Sequence, residues 1–483
     1  MSVLSHYDQG CKAFDQGNFS QAVFHLEKAR ETSPTDAVIL TRLGNALKHI
    51  GQFEKAVEIH ESLVEMHGAP EAISNLATTY LAWGHTREAV IQFTHALKLR
   101  PDDPQLLFNL ATALQWSSDF EQAVTFFEKA ISLAPDHYRA HTNLGICLKT
   151  LGRFEAARNA QKRACEIAPD DPDTNWNLAL TELLMGHFES GFKRYEFRRK
   201  MKGFTTIGGT WWDGEQSTES IVVYAEQGLG DTIQFIRYLP LLRAKTPNVI
   251  FMCRAAMAPF LEQCLTFDVD VAPLAPVAPS QKVAPLLSLP FLLRHTTPYS
   301  DNIPYFKPDE NIADDWESIL DTDNRPKIGL CWQGNPGHRD DVNRSIPLEQ
   351  LTPLLHNREV RFFSLQKHHG LAQLETLPNR FKVIDLGAVM DEQVPFIDTA
   401  AVISKLDVVI TVDTAIAHLS GALGCETWTL LPFVPDFRWG LAQRCPYYPR
   451  MRLFRQARRG DWTSVVDNIR DALLERALPS TFW

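Results

Sequence analysis

A repeat of about 34 residues limits what the first two hundred residues of this chain can fold into more than any other feature. Small residues recur at spacings of 34, 33, 34, 34 and 34 positions, at Gly10, Gly44, Ala77, Ala111, Gly145 and Ala179. Alanine stands twelve positions after each of the first five, and most units end near a proline. Small side chains let two antiparallel helices approach closely, and proline cannot continue a helix. The period therefore predicts stacked helical hairpins.

These units resemble the tetratricopeptide repeat (TPR) family over residues 3–203. Five repeats are predicted, with starts near Val3, Ala37, Pro70, Pro104 and Tyr138. A sixth unit, from Pro172, is degenerate, because glycine replaces the expected alanine at position 191 and the next segment is basic and aromatic. Terminal repeats are often atypical since they cap the stack or join the next domain.

Four asparagines mark a candidate binding surface on the first helix of successive units. Asn75, Asn109, Asn143 and Asn177 are separated by 34 residues each time. TPR arrays commonly hold a peptide in a concave groove, and related proteins that attach sugars to serine and threonine line it with such a ladder. We therefore predict that these side chains bind a protein or peptide acceptor. Asparagine is also common in TPR consensus sequences, where it caps or bridges helices, and that interpretation stays open.

From about Thr205 onward, short apolar runs alternate with helical patterns. Strands are predicted at Ser220–Ala225, Val249–Cys253, Lys327–Trp332, Arg361–Leu365, Lys382–Leu386, Asp407–Val412 and Thr427–Leu431. Such alternation predicts parallel sheets covered by helices on both faces. The proline-rich stretch from Pro273 to Pro308 separates two clusters of strands. The predicted fold is thus an α-solenoid followed by two Rossmann-like α/β lobes, residues 204–310 and 311–483, with the last helix, Thr463–Ala477, packed back on the first lobe.

Two motifs follow predicted strands in this half. The segment Glu226–Asp231 opens a helix, where Gly228 and Gly230 permit a tight turn and Asp231 suits the positive end of the helix dipole. The segment Trp332–Asn335 contains Gln333 and is followed by Arg339 and Arg344. Strand ends point into the ligand crevice of open α/β sheets, and an arginine there can clamp phosphate oxygens. A solvated basic loop is the alternative interpretation.

A third motif runs from Val412 to His418 and includes Asp413 and Thr414. It leaves a strand and enters a helix, whose free N–H groups form a natural phosphate site. His418 follows Thr414 by four residues, so the two side chains share one helix face. Taken alone, His418 fits a buried structural histidine better.

Taken together, these motifs resemble the heptosyltransferase-like glycosyltransferases of family 9, and especially their TPR-fused bacterial relatives, over about residues 221–462. The segments that carry the resemblance are Glu226–Asp231, Arg344–Pro347, Asp413-Thr414 with His418, Tyr448-Pro449, Arg455-Gln456 and Gly460–Trp462. The resemblance implies a GT-B-type pair of lobes, a nucleotide-sugar donor and no metal. It implies that Asp231 is the catalytic base, and that Arg344 and the Asp413–His418 motif meet the donor, although Ala415 stands where the family has glycine.

Composition narrows the choice of partners. A net charge of −10 argues against non-specific nucleic-acid binding. No signal peptide or membrane-length apolar run is visible, and eight scattered cysteines show no metal-ligand spacing. These features predict a cytoplasmic protein.

The resulting hypothesis is a glycosyltransferase that moves a sugar from a nucleotide donor to serine or threonine of a protein captured by the repeats, as in similar fusions that modify flagellins. Asp231 would deprotonate the acceptor and give inversion, while Arg344, Thr414 and His418 would stabilise the leaving phosphate. Gln333, Gln366 and Asp413 would help position the donor. A transferase acting on lipopolysaccharide or another glycan, and a TPR scaffold without activity, are the alternatives. The nucleotide base, the sugar and the oligomeric state stay open.

Overall fold

The computed structural model describes residues 3–246, 248–338, 340–378 and 381–477. The chain forms two compact units, Met1–Asn177 and Leu178–Trp483, which are described in turn.

The first unit is a TPR solenoid. Its helices and the two that follow are α1 (Val3–Asp15), α2 (Phe19–Thr32), α3 (Ala37–His49), α4 (Phe53–His67), α5 (Pro70–Trp83), α6 (Thr86–Leu99), α7 (Pro104–Trp116), α8 (Phe120–Leu133), α9 (Tyr138–Thr150), α10 (Phe154–Ile167), α11 (Pro172–Leu184) and α12 (Phe188–Tyr195). The first helix of every repeat begins at the residue predicted from the period. The unit boundary falls within α11, so most of the sixth hairpin belongs to the second unit.

Each hairpin turns through a residue with positive φ. Gly84 has a φ of 89° at this place, as expected for glycine. In the fourth repeat Ser118 takes the same position with a φ of 65°, which is a strained conformation for a residue with a Cβ atom. The repeat geometry therefore overrides the local preference of the serine.

Contacts between the two helices of a repeat explain the small residues. Ala77 and Phe93, sixteen positions apart, are buried in one cluster with Ala111 and Phe127, which have the same spacing. In the second repeat the pair is Gly44 and His60, and a Cβ atom on Gly44 would lie 2.6 Å from His60 Nε2. A large side chain on the second helix thus requires a small one on the first.

The second unit contains a five-stranded and a six-stranded parallel sheet among its described residues. The strands are β1 (Gly208–Trp211), β2 (Ile221–Tyr224), β3 (Val249–Cys253), β4 (Asp270–Pro273), β5 (Val277–Pro285), β6 (Lys327–Cys331), β7 (Arg361–Ser364), β8 (Val383–Asp385), β9 (Val408–Val412), β10 (Thr427–Leu431) and β11 (Met451–Arg455). The orders are β1-β5-β2-β3-β4 and β11-β10-β9-β6-β7-β8. The predicted parallel sheets are confirmed.

Helices cover these sheets. They are α13 (Leu229–Phe235), α14 (Leu239–Arg243), α15 (Ala258–Cys264), α16 (Leu289–Leu292), α17 (Glu310–Leu320), α18 (Asp341–Arg344), α19 (Thr352–Leu355), α20 (Ile397–Ser404), α21 (Ala415–Ala422) and α22 (Trp462–Ala477). None of the described helices is both long and apolar enough to cross a membrane.

The structure adds strands to the predicted arrangement and corrects the place of the last helix. The proline-rich stretch lies between the strand clusters of the two sheets, as predicted, but it also contains β5, which lies between β1 and β2 in the first sheet. Pro273 and Pro285 end β4 and β5, and Pro279 lies within β5 where its register with β1 shifts between Gly208 and Thr210, so its missing N–H interrupts no regular ladder. Helix α22 does not return to the first sheet. Its apolar face, including Val465 and Ile469, is buried in the core of the second sheet with Trp428 and Phe454.

Candidate functional site

Sheet topology brings the predicted motifs to two neighbouring edges. In the first sheet the strand order reverses between β5 and β2, and the glycine loop Glu226–Asp231 follows β2. In the second sheet it reverses between β6 and β9, which are followed by Trp332-Gln333 and by Asp413-Thr414. Such reversals open the crevices in which α/β proteins bind ligands. Helices α13 and α21, which begin at these loops, pack against each other.

Asp231 stands in the first turn of α13, and both of its carboxylate oxygens are engaged. Oδ2 accepts a hydrogen bond of 3.0 Å from the Gly228 N–H, which completes the N-terminal cap of the helix. Oδ1 forms an ion pair with Nη2 of Arg438. The helix-capping interpretation therefore holds for this side chain, which is 19% exposed, and its catalytic role stays a prediction.

Gly230 is the point of closest approach between the two motifs. A Cβ atom there would lie 2.8 Å from Cδ2 of His418 and 3.6 Å from Cα of Ala415. His418 therefore limits the side chain at position 230, whereas the distance to Ala415 is that of an ordinary van der Waals contact. Two short loops from different sheets meet here in direct contact.

His418 is buried and held on two sides. Its Nδ1 lies 3.1 Å from the Tyr448 hydroxyl, and its ring stacks on Trp439 at a centroid distance of 4.7 Å. Burial, together with Arg438 and Arg237, lowers the pKa of His418 well below its usual range. The imidazole is therefore neutral at neutral pH, so any help that it gives to a phosphate comes from hydrogen bonding or packing and not from a positive charge.

Arg344 ends the short helix α18, close beneath Gly334. Its Nε donates to Asp341 Oδ1 at 3.2 Å, and a Cβ on Gly334 would lie 2.6 Å from Nη2. The glycine of the second motif therefore leaves space for the guanidinium. Arg339 of this motif lies outside the described residues.

Two glutamines link the ends of β6 and β7. The Gln366 Oε1 accepts hydrogen bonds from the backbone N–H groups of Trp332 and Gln333, and its Nε2 donates to the carbonyls of Gln333 and His369. Gln333 Oε1 accepts from Gln373. Gln366 is thus fully used in shaping the loop, and the predicted donor contact of this residue stays a prediction.

Asp413 lies among charges of both signs. Burial raises its pKa to about 6, and Asp436 contributes to the rise, while Trp439, Arg344 and Arg438 oppose the shift. Thr414 follows at the start of α21, with Oγ1 3.2 Å from the Thr411 hydroxyl. The motif therefore presents a carboxyl group that is only partly ionised near pH 6, beside a helix N-terminus.

Sequence reasoning missed the segment Asp436–Trp439, which supplies much of this charge. It follows β10, whose C-terminal end lies at the same sheet edge as that of β9. Arg438 is 9% exposed and pairs with Asp231, while its Nη1 donates to Asp436 Oδ1 at 2.7 Å. The available signal was the position of Arg438, a few residues beyond the predicted strand Thr427–Leu431. Arg344 was selected by a signal of the same kind.

The degenerate sixth hairpin buttresses the glycine loop. Arg198, just after α12, donates to the buried Glu226 at 2.8 Å, and the Tyr195 hydroxyl accepts from Gln227 at 3.0 Å. The Tyr195 ring also meets Phe437 edge-on, at a centroid distance of 5.7 Å. The aromatic and basic residues that make this repeat atypical therefore support the loops that carry Asp231 and Arg438.

In the first unit, the four asparagines occupy equivalent places on α5, α7, α9 and α11. Successive first helices touch, from α3 through α9, so they form one continuous layer. The side chains are half-buried. Asn109 accepts from Gln105 at 2.9 Å and Asn177 donates to the Asp173 carbonyl at 2.8 Å, both within their own helix. These two bonds fit the helix-bridging interpretation, and binding by the ladder stays a prediction.

A cavity of about 380 Å³ opens on the first two repeats of the same layer. Its lining residues are Phe14, Ala37, Val38, Thr41, Arg42 and Asn45. Arg42 precedes Asn75 by 33 residues and so stands in register with the asparagines, where it pairs with Asp15 at 3.3 Å.

Solved structures similar to the chain include two TPR proteins. TTC0263 of Thermus thermophilus is 19% identical with a TM-score of 0.34, over 38% of this chain and 100% of that one. A TPR protein of Parabacteroides merdae is 18% identical with a TM-score of 0.36, over 42% of this chain and 81% of that one.

Comparison with sequence families and curated proteins assigns the repeats. Protein FlbA of Caulobacter vibrioides is 25% identical over 301 residues, which is 56% of this chain and 49% of FlbA. The chain thus spans about half the length of the curated relative that it matches. Profiles described as tetratricopeptide repeat match residues 13–78, 70–103 and 103–170. Residues 13–170 of the chain are therefore a tetratricopeptide-repeat array, and a region of parallel sheets follows it.

Proposed function

We propose that the chain is a glycosyltransferase that moves a sugar from a nucleotide-sugar donor to a protein held by its TPR repeats. The observation that carries this proposal is the meeting of the Asp231 loop with the loops after β9 and β10 at two sheet edges. We further propose that residues 204–310 and 311–483 act as the two lobes of a GT-B-type enzyme, with the donor bound mainly by the second.

The donor diphosphate would lie against the second sheet. Arg344 supplies a guanidinium at 16% exposure, and α21 directs its N-terminal N–H groups toward the same edge. Charge that develops on the leaving phosphate is stabilised there in a partly desolvated site. The neutral His418, fixed by Tyr448 and Trp439, keeps the first turn of α21 in place beside Gly230.

The acceptor reacts from the side of Asp231. The hydroxyl oxygen of serine or threonine bonds to the anomeric carbon while its proton passes to Asp231. The bond between that carbon and the phosphate oxygen breaks, and its electron pair leaves with the nucleotide diphosphate. A single displacement of this kind inverts the anomeric carbon.

The repeats would supply the acceptor. Asn75 and Asn143, together with the Arg42 cavity, lie on one layer of first helices, which suits a segment of extended chain. Flagellin is a candidate for such an acceptor, because similar fusions modify it.

The test compares two alleles in the source organism, Asp231→Asn and the matched control Asp270→Asn, which alters an exposed carboxylate on β4. Proteins that copurify with the full-length chain are measured by intact mass. Loss of a general base lowers transfer by roughly 10²–10⁴-fold. The expected result is an acceptor that loses whole sugar masses in the Asp231→Asn strain only.

Identical acceptor masses in all strains would refute Asp231-dependent glycosylation of the copurified protein. Thermal-shift measurements with UDP, GDP, ADP and CMP then separate the remaining possibilities. Stabilisation by one nucleotide would favour a transferase that acts on lipopolysaccharide or another glycan, and no stabilisation would favour an inactive scaffold.

A further inference from the structure

One guanidinium at the candidate site has an unsatisfied edge. Arg438 is 9% exposed, and its Nη1 is held by Asp436 at 2.7 Å. Its Nη2 pairs with a single oxygen of Asp231. Its Nε is buried and has no hydrogen-bond partner among the described residues.

The reason for this arrangement lies in Asp231. A carboxylate usually meets the Nε–Nη2 edge of arginine with both oxygens. Here Oδ2 is occupied by the Gly228 N–H in the cap of α13, so only Oδ1 reaches Arg438. The edge of the guanidinium that best matches a two-oxygen anion is therefore half used.

The surroundings suit an anion with several oxygens. Arg344 is a second cation near Asp413, since both arginines lower the pKa of that carboxyl group. Phe437 packs against the Arg438 guanidinium at 4.4 Å and Asp436 holds its Nη1, so the charge stays at this site while the Nε–Nη2 edge can exchange one anion for another. A buried donor without a partner is costly, and an incoming phosphate oxygen would satisfy it.

We infer that Arg438 is a diphosphate-binding residue that is shared between Asp231 and the ligand. This inference rests on the proposed function, in which the diphosphate belongs to the nucleotide-sugar donor. Binding of the diphosphate draws the Nε–Nη2 edge from Asp231 to two phosphate oxygens. Asp231 keeps its Gly228 contact, and its Oδ1 is freed from the ion pair with Arg438. The base is thus released for reaction when the donor is in place.

The test uses inorganic pyrophosphate as the probe and titration calorimetry of the full chain at neutral pH. Arg438→Gln should weaken binding by about 10- to 100-fold, because a charge-assisted pair with the anion is lost. The pyrophosphate affinity of Arg438→Lys should fall between those of the wild type and Arg438→Gln, since lysine keeps the charge but not the planar fork. Arg470→Gln, a matched change of an exposed arginine that pairs with Asp467 on α22, should leave binding unchanged.

The decisive variant is Asp231→Asn. If Arg438 is shared, removal of the competing carboxylate should tighten pyrophosphate binding by about tenfold. Weaker or unchanged binding in this variant, or no binding by the wild type, would overturn the inference and leave an ion pair that only joins the two sheets. Unfolding midpoints of each variant establish that it is folded. The proposed function fails by a different readout, unchanged acceptor masses in the Asp231→Asn strain.

Discussion

Acid should loosen the second TPR repeat through one histidine, His60, which lies on α4 beneath Gly44. The side chain is fully buried, and neither ring nitrogen has a hydrogen-bond partner among the described residues. Burial, and to a smaller extent Lys48, lowers the pKa of His60 from 6.5 to about 4. In the folded repeat the His60 imidazole is therefore neutral above about pH 4.

The direction of the pH effect follows from linkage. Between about pH 6.5 and about pH 4 the unfolded chain binds a proton at His60 that the folded chain does not, so stability falls as the pH falls. The loss amounts to roughly 2 kcal/mol between about pH 7 and about pH 5, and to roughly 3 kcal/mol once the pH is below about 4. Above about pH 6.5 this residue contributes little further pH dependence.

The assay is hydrogen–deuterium exchange of peptides from α3 and α4 in the full chain, corrected for intrinsic exchange. Opening of these helices should be roughly 20-fold more frequent at the lower pH. The control is His60→Phe, because phenylalanine occupies the equivalent position in the third and fourth repeats, as Phe93 and Phe127. Equal pH dependence of the wild type and His60→Phe would refute this reasoning.

Three further outcomes follow from the second unit. Gly230→Ala should weaken the contact of the two loops by about 1–3 kcal/mol, because the new Cβ meets His418, which Tyr448 and Trp439 hold in place. The substitution should therefore lower both the unfolding midpoint and the rate of sugar transfer. The pyrophosphate affinity of the wild type should rise as the pH falls toward about 6, because protonation of Asp413 reduces its repulsion of the anion. Asp413→Asn should abolish this rise. Arg237→Leu should destabilise this unit by about 3 kcal/mol or more, because the buried guanidinium donates to the Tyr299 and Tyr447 carbonyls and the Tyr305 hydroxyl.

Each of these outcomes has a control that separates it from general damage. Gly337→Ala changes an exposed glycine whose added Cβ would meet only Asn335 and should be well tolerated. An Asp413→Asn protein that kept the full pH dependence would exclude Asp413 as the titrating group. If Arg237→Leu unfolded at the same midpoint denaturant concentration as the wild type, the hydrogen bonds of the Arg237 guanidinium would contribute little to stability.

The repeats could be predicted almost completely because their constraints are local. Each hairpin packs on its own partner helix and on its neighbours, so a spacing such as that of Ala77 and Ala111 reports directly on the contact. The starts of the first helices, at Val3 or Pro104 for example, were fixed in this way. The Ser118 turn escaped the pattern, since its positive φ is imposed by the hairpin and not by the serine.

Individual residues of the candidate site could be predicted from the sequence, but the contacts between them could not. Asp231 and Asp413 were recognisable because each closely follows a strand, and strand ends face the crevice in parallel sheets. The contact of Gly230 with His418, and the pairing of Asp231 with Arg438, join residues about two hundred positions apart. No periodicity encodes contacts of that kind, so Arg438 was passed over although it lay beyond a predicted strand.

The repeat array, the parallel-sheet character of the second unit and the loops at which chemistry could take place are all readable in the sequence. Tertiary contacts place β5 within the first sheet, α22 against the second sheet and Arg438 beside Asp231. The two groups of features differ in the range of the interactions that produce them. Helical and strand periodicities arise between near neighbours, whereas sheet order and ion pairing depend on where distant segments come to rest.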